Sequence, residues 1–159
     1  MPVLSPETLM KLFNVKEEDL DCGGLKLHLD KVFVPMGMGK ISKESKTLPT
    51  YQEIQTNENN EYILGPGAYK IRYRELVKVP NNAIALALPR STLLRMGATI
   101  YTAVWDPGYE GRGEGLMVVF NKDGIIIERG SQIAQLIFIT LDRPTSFIYR
   151  GAYYRENIY

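Results

Sequence analysis

Two short stretches of this 159-residue chain carry residue types suited to phosphate chemistry. The first is Leu88-Pro89-Arg90-Ser91-Thr92-Leu93-Leu94-Arg95-Met96-Gly97. Arg90 and Arg95 offer planar guanidinium forks that match phosphate oxygens. Ser91 and Thr92 add hydroxyls at the start of an expected short helical turn, where free backbone N–H groups favour anions. Gly97 is placed to end that turn. The second stretch is Trp105-Asp106-Pro107-Gly108-Tyr109-Glu110-Gly111. Pro107 and Gly108 suit a tight turn that fixes the Asp106 carboxylate, and a fixed carboxylate can orient a water or take its proton. Tyr109 offers a ring to a sugar or base. Together the stretches suit a nucleoside triphosphate: cations for phosphates, one acid for a water, one aromatic for the nucleoside. Taken singly, the same pieces better describe a capped surface turn with solvated arginines and an ordinary turn aspartate, and Tyr109 could simply pack.

The elements that must hold these residues are mostly strands. Ser5-Pro6-Glu7 starts one short helix, with Ser5 as cap, Pro6 at the first helical position and Leu4 stapled to Leu9; it is expected to end near Asn14. Leu25-Lys26-Leu27-His28-Leu29 alternates with period two and reads as a half-buried strand running toward Val34. Pro35 to Glu61 is a long polar excursion. Beyond it, turn signals recur at short intervals around Tyr62-Ile63-Leu64, around Tyr69, Ile71 and Tyr73, and around Ala83–Leu88. Gly115–Phe120 and Ile125–Ile127, separated by Asn121-Lys122-Asp123-Gly124, read as a β-hairpin. Gln132–Ile139 reads as a further strand. Many short strands with few helices predict an all-β sandwich or barrel. Gly111, Gly113 and Gly115 read as flexible backbone. They make no dinucleotide fingerprint, and no phosphate-binding loop ending in Gly-Lys-Ser/Thr is present.

Composition narrows the function classes. Hydrophobic residues make up 45% and charged residues 23%, as in a globular protein with its own core. The length suits one domain, taken as residues 1–159. Formal net charge is +1, without clustered cations, which argues against a nucleic-acid partner. No apolar run is long enough to span a bilayer, and no signal-peptide pattern opens the chain. The lone Cys22 fits a reducing cytoplasm. One cysteine and one histidine cannot form a Cys/His zinc site in one chain. His28, in a strand alternation with no nucleophile nearby in sequence, reads as a satisfied or exposed strand residue rather than a catalytic one.

Jointly, the motifs resemble the dUTP pyrophosphatase/dCTP deaminase family. Arg90–Gly97 is similar to its second motif and Thr102–Gly111 to its third. Gln132-Ile133-Ala134-Gln135-Leu136 looks like its fourth, and Tyr149-Arg150-Gly151-Ala152-Tyr153-Tyr154 resembles the Tyr-x-Gly-x-Tyr tail of archaeal members. The resemblance implies a distorted all-β jelly roll or barrel with a short N-terminal helix, assembled as a homotrimer with active sites between subunits. It implies hydrolysis of dUTP to dUMP and pyrophosphate, with Mg²⁺ carried on the substrate phosphates and no protein metal site. Asp106 would be catalytic. Arg90, Ser91, Thr92, Arg95, Tyr109, Gln135 and Tyr149 would bind substrate, Tyr109 against deoxyribose.

The chain departs from the family pattern in three places, one being that it lacks the Gly-rich, Phe-containing C-terminal flap of the common trimeric dUTP pyrophosphatases. The first motif usually reads Asp-Leu-x-Leu, but Lys26-Leu27-His28-Leu29 stands here. The deaminase branch places its glutamate base on the strand after the third motif, at the position of Val118 or Val119, and Leu116-Met117-Val118-Val119 has no acid. Deamination needs a group to activate water beside the base, so the apolar strand favours the pyrophosphatase. Glu114, in the inserted Gly111–Gly115 segment, is the fallback acid. A dCTP deaminase and a non-catalytic deoxynucleotide-binding regulatory protein are the alternatives.

Overall fold

The computed structural model describes residues 2–159. Helix α1 spans Pro6–Phe13, with Ser5 Oγ accepting from the Thr8 N–H and Asn14 ending it in the left-handed conformation. Its inward residue, Leu9, is fully buried, and Leu4 packs on the same core. The strands are β1 (Leu20–Asp21), β2 (Gly24–Met36), β3 (Lys40–Ile41), β4 (Lys46–Thr47), β5 (Thr50–Ile54), β6 (Glu61–Leu64) and β7 (Gly67–Tyr73). They continue as β8 (Val77–Lys78), β9 (Ala83–Pro89), β10 (Ala98–Tyr101), β11 (Glu110–Gly111), β12 (Glu114–Val119), β13 (Ile125–Glu128) and β14 (Gln132–Thr140). A second helix, α2, occupies Ser91–Arg95 between β9 and β10.

The large sheet runs in the order β10-β12-β7-β2-β14-β9. Strand β2 is long because it serves two neighbourhoods. Its residues Leu25 to His28 pair with β14, while Leu29 to Phe33 pair with β7. Register shifts lie between Leu29 and Lys31 on β2 and between Gln132 and Ala134 on β14; bulges of this kind bend a strand and let a sheet curl. The two ends of the sheet then meet. Ala85 on β9 exchanges both backbone hydrogen bonds with Trp105, at 2.9 Å each, in the segment after β10. The result is an almost closed all-β barrel, as the strand pattern predicts. Leu27, Leu29, Val32, Ile71, Tyr73, Met117, Leu136 and Phe138, fully enclosed, fill it.

Two expectations are corrected, and one stretch left open gains structure. Gly115–Phe120 and Ile125–Ile127 do not form a hairpin with each other. β12 pairs with β10 and β7, and β13 pairs with β6. The Asn121–Gly124 turn is real, with the Asp123 N–H held by Asn121 Oδ1, but it carries the chain from one sheet to another. The polar excursion from Pro35 to Glu61 is partly ordered by pairing: β5 lies along β2 from Val32 to Met36, and β3 and β4 form a small hairpin. Finally, the Gly111-x-Gly113-x-Gly115 run is close-packed rather than flexible. A Cβ on Gly113 would lie 2.4 Å from the Trp105 ring, and one on Gly115 2.8 Å from Tyr73 Oη.

Candidate active site

Closure of the barrel through Ala85 and Trp105 delivers Asp106 one residue later. The turn from Asp106 to Tyr109 closes on itself, with the Tyr109 N–H donating to the Asp106 carbonyl at 3.1 Å. Two other segments pin it. The Gly108 N–H donates to Val79 O at 3.0 Å, and the Tyr149 N–H donates to Pro107 O at 2.8 Å. Gly108 has φ +79° and faces Ile148, whose methyl lies 2.0 Å from where a Cβ would be. Only glycine fits both constraints. Pro-Gly therefore holds the acid as the sequence implies.

Asp106 opens onto a cavity of about 440 Å³, within the range of small-molecule sites. Trp105, Tyr109 and Tyr149 build its aromatic side. Trp105 and Tyr109 meet edge-on with centroids 5.2 Å apart, and Tyr109 and Tyr149 meet edge-on at 5.9 Å. Gly113 lets the Trp105 ring lie against the backbone. Glu114 and Glu156 also line the cavity, as do Tyr51 and Tyr153.

Glu114 is held by cations. Lys70 Nζ donates to both of its oxygens, at 2.8 and 2.9 Å, and Arg72 donates to Oε1 at 3.3 Å. Lys70 itself lies between the Phe33 and Tyr51 rings, 4.2 and 4.3 Å from their centroids. Glu156 arrives on the C-terminal tail and accepts the Tyr109 hydroxyl at 2.7 Å. Burial pushes the Glu156 carboxyl above the usual carboxylate range, with the Tyr109 hydrogen bond pulling the other way. Burial, and then the Glu156 carboxylate, push the Tyr109 phenol well above its ordinary value.

The other expected residues sit outside this cavity. Arg90 caps α2, and Ser91, Thr92 and Arg95 lie on that helix, all four exposed. Gly97 ends the turn with φ +80°, as anticipated. Gln135 is half-buried between Leu88 and Lys26. With its amide turned to face donors, its oxygen accepts from the Gly23 and Gly24 N–H groups at 3.0 Å each. Lys26, which replaces the first-motif acid, donates to Glu18 O at 2.7 Å. His28 is satisfied by Glu75, 2.6 Å from Nδ1. One chain thus carries an acid-and-aromatic half and, apart from it, a cationic half on α2. Sequence reading missed Glu156, which belongs to no motif and reaches the cavity only because the tail folds back.

A model of the dCTP deaminase-like family matches residues 6–141. The chain belongs to this family. Among similar family members, a Methanocaldococcus jannaschii protein named deoxyuridine 5'-triphosphate nucleotidohydrolase is 44% identical over 143 residues, covering 88% of this chain and 90% of its own. An Archaeoglobus fulgidus protein, named a probable deoxyuridine 5'-triphosphate nucleotidohydrolase, is 37% identical over 170 residues, covering 99% of each chain. The crystal structure of 2'-deoxycytidine 5'-triphosphate deaminase from Agrobacterium tumefaciens superposes with a TM-score of 0.64 at 17% identity, over 86% of this chain and 48% of that one. That likeness is one of dCTP deaminase-like fold.

Proposed function

We propose that this chain hydrolyses dUTP to dUMP and pyrophosphate. The whole of residues 1–159 acts as one dUTP pyrophosphatase-like unit in the cytoplasm. Membership of the dCTP deaminase-like family leaves two chemistries open, and the archaeal relatives named as dUTP nucleotidohydrolases support this one. The observation that carries the choice is β12. Met117 and Val119 point into the core and are buried, while Leu116 and Val118 lie on the other face. From Leu116 to Val119 the strand has no acid to activate water beside a cytosine ring, and the one acid on β12, Glu114, is held by Lys70 and Arg72.

The substrate is dUTP with Mg²⁺ on its phosphates. Among the described residues, no cluster of three histidine, cysteine or acidic side chains forms a metal cage. The exposed Asp106 carboxylate is a hard oxygen donor that suits a cation arriving on phosphates. Asp106 orients the attacking water and meets the 3′-hydroxyl. Tyr109 packs on deoxyribose and leaves no room for a 2′-hydroxyl, and Tyr149 backs Tyr109. Ser91 and Thr92 hold the phosphates, and Arg90 and Arg95 neutralise them as charge shifts to the leaving pyrophosphate. Gln135, beside Leu88 at the base of α2, steadies that half.

The phosphate-binding half lies outside the chain's own cavity, which supports a homotrimer in which α2 of one subunit faces the Asp106 cavity of the next. The test is incubation with dUTP and, separately, dCTP. Pyrophosphate from dUTP with no ammonia from dCTP is expected. Ammonia release would overturn the assignment and make Glu114 the first suspect. Tight dUTP binding without turnover would make the protein a regulatory binder.

A further inference from the structure

Tyr109 is fixed at three points, and only two of them belong to the motif region and the aromatic wall. Trp105 and Tyr149 press on the ring at 5.2 and 5.9 Å. The third point is the phenol oxygen, held 2.7 Å from Glu156 Oε1. Edge-on ring contacts restrain the plane of the ring but leave its hydroxyl end able to swing about the Cα–Cβ bond. A hydrogen bond at that end stops the swing.

The tail is built to bring Glu156 to this point. Gly111 and Glu156 form a parallel bridge, with the Arg112 N–H donating to Glu156 O at 3.1 Å and the Arg155 N–H to Glu110 O at 2.7 Å. The approach needs glycine at 111, since a Cβ there would lie 2.8 Å from Tyr109 Oη and 3.1 Å from Glu156 O. The Arg112 guanidinium then ties down the following turn, donating to Asn157 O at 3.0 Å and Ile158 O at 3.1 Å.

We propose that Glu156 is a positioning residue for sugar selection, acting through the Tyr109 hydroxyl. The inference rests on the dUTP-hydrolysing reading, in which Tyr109 packs on deoxyribose. Its physical content has two parts. A hydrophobic wall rejects a substrate with one added hydroxyl only modestly, and a wall that can retreat rejects it less. An ionised carboxylate is also an acceptor only. It accepts the phenol's hydrogen bond and leaves Tyr109 with no donor for a 2′-hydroxyl. A ribonucleotide entering the site then loses water from that hydroxyl and gains no donated hydrogen bond from the ring.

The test is the ratio of kcat/KM for UTP to that for dUTP, measured in the native enzyme and in Glu156→Ala, Glu156→Gln, Tyr109→Phe, Glu156→Ala/Tyr109→Phe and Arg112→Ala. Glu156→Ala should raise the UTP-to-dUTP ratio roughly tenfold, the worth of about one hydrogen bond. Glu156→Gln keeps a carbonyl acceptor and should hold the ratio near native. Tyr109→Phe should raise it as Glu156→Ala does, and the double variant should add nothing further, because both changes remove one contact. Arg112→Ala removes the guanidinium bonds to Asn157 and Ile158 but keeps the backbone bridge that carries Glu156, and should leave the ratio near native. An unchanged ratio in Glu156→Ala overturns the proposal. So does a relaxation that Gln fails to rescue, that Arg112→Ala reproduces, or that adds to Tyr109→Phe. These outcomes in an enzyme with native dUTP turnover sink only the role of Glu156. A native protein that does not hydrolyse dUTP sinks the functional reading and this inference together.

Discussion

Asp106 is positioned by its neighbours' backbones. Ala85 holds Trp105 before it, and Val79, Tyr149 and the turn itself hold the main chain after it, so the side chain can change without the turn opening. Asp106→Asn is therefore expected to leave dUTP binding largely intact while hydrolysis falls by at least about 100-fold, since an amide cannot take a proton from water. Binding by calorimetry beside pyrophosphate release checks this; near-native turnover would take Asp106 out of the chemistry. The same scale gives a pH prediction at Glu156, whose carboxyl is raised chiefly by burial. A raised acid holds its proton longer in the folded state than in the unfolded one. Its contribution to stability is complete below the unfolded value and is lost as pH rises through the folded one. Glu156→Gln keeps the neutral form at every pH. Its melting temperature relative to native should accordingly be higher at about pH 7 than at about pH 4, measured by calorimetry at both. An equal difference at the two pH values would mean that the carboxylate carries no burial cost.

Among the elements, legibility follows how local each signal is. The cap of α1, the alternation of β2 and the positive-φ glycine after α2 are decided within a few residues, and each appears where the chain spells it. Strand partners are decided by the sheet. Asn121–Gly124 has the composition of a hairpin turn, yet β13 takes β6 as its neighbour because β12 is already paired on both edges, by β10 and β7. The polar stretch after Pro35 was illegible for a similar reason. β5 is mostly exposed and earns its place by backbone pairing along β2 rather than by an apolar face. At the site, the Asp106 turn and α2 were readable as motifs. Glu156 was not, since a tail with no period gives no sign of where it returns. The crossing turn has its own test. Gly124 has φ +77°, and a Cβ there would lie 2.5 Å from Leu64 O on β6. Gly124→Ala should destabilise the fold by about 2 kcal/mol or more through positive-φ strain and this contact. Denaturant unfolding measures it, and a variant as stable as native would show that the turn does not hold β13 against β6.

Across the whole molecule, the distribution of charge and aromatics suits the proposed trimer. The cavity that Asp106 faces is walled by its own chain's rings and tail, whereas the arginines suited to phosphates stand exposed on α2. If α2 of one subunit completes the cavity of the next, two inactive variants must repair each other. Asp106→Asn lacks the acid and keeps its α2. Arg95→Ala keeps the acid and loses a phosphate contact. Unfolded together in equal amounts and refolded, they form mixed trimers in which a site is complete when its acid comes from the Arg95→Ala chain and its α2 from the Asp106→Asn chain. Random assembly makes roughly a quarter of the sites complete, so dUTP hydrolysis should return to about a quarter of native, far above either variant alone. Were both halves of a site supplied by one chain, every site would carry one defect and mixing would restore nothing. The size of the recovered activity therefore shows whether the acid and the phosphate-binding helix act in trans.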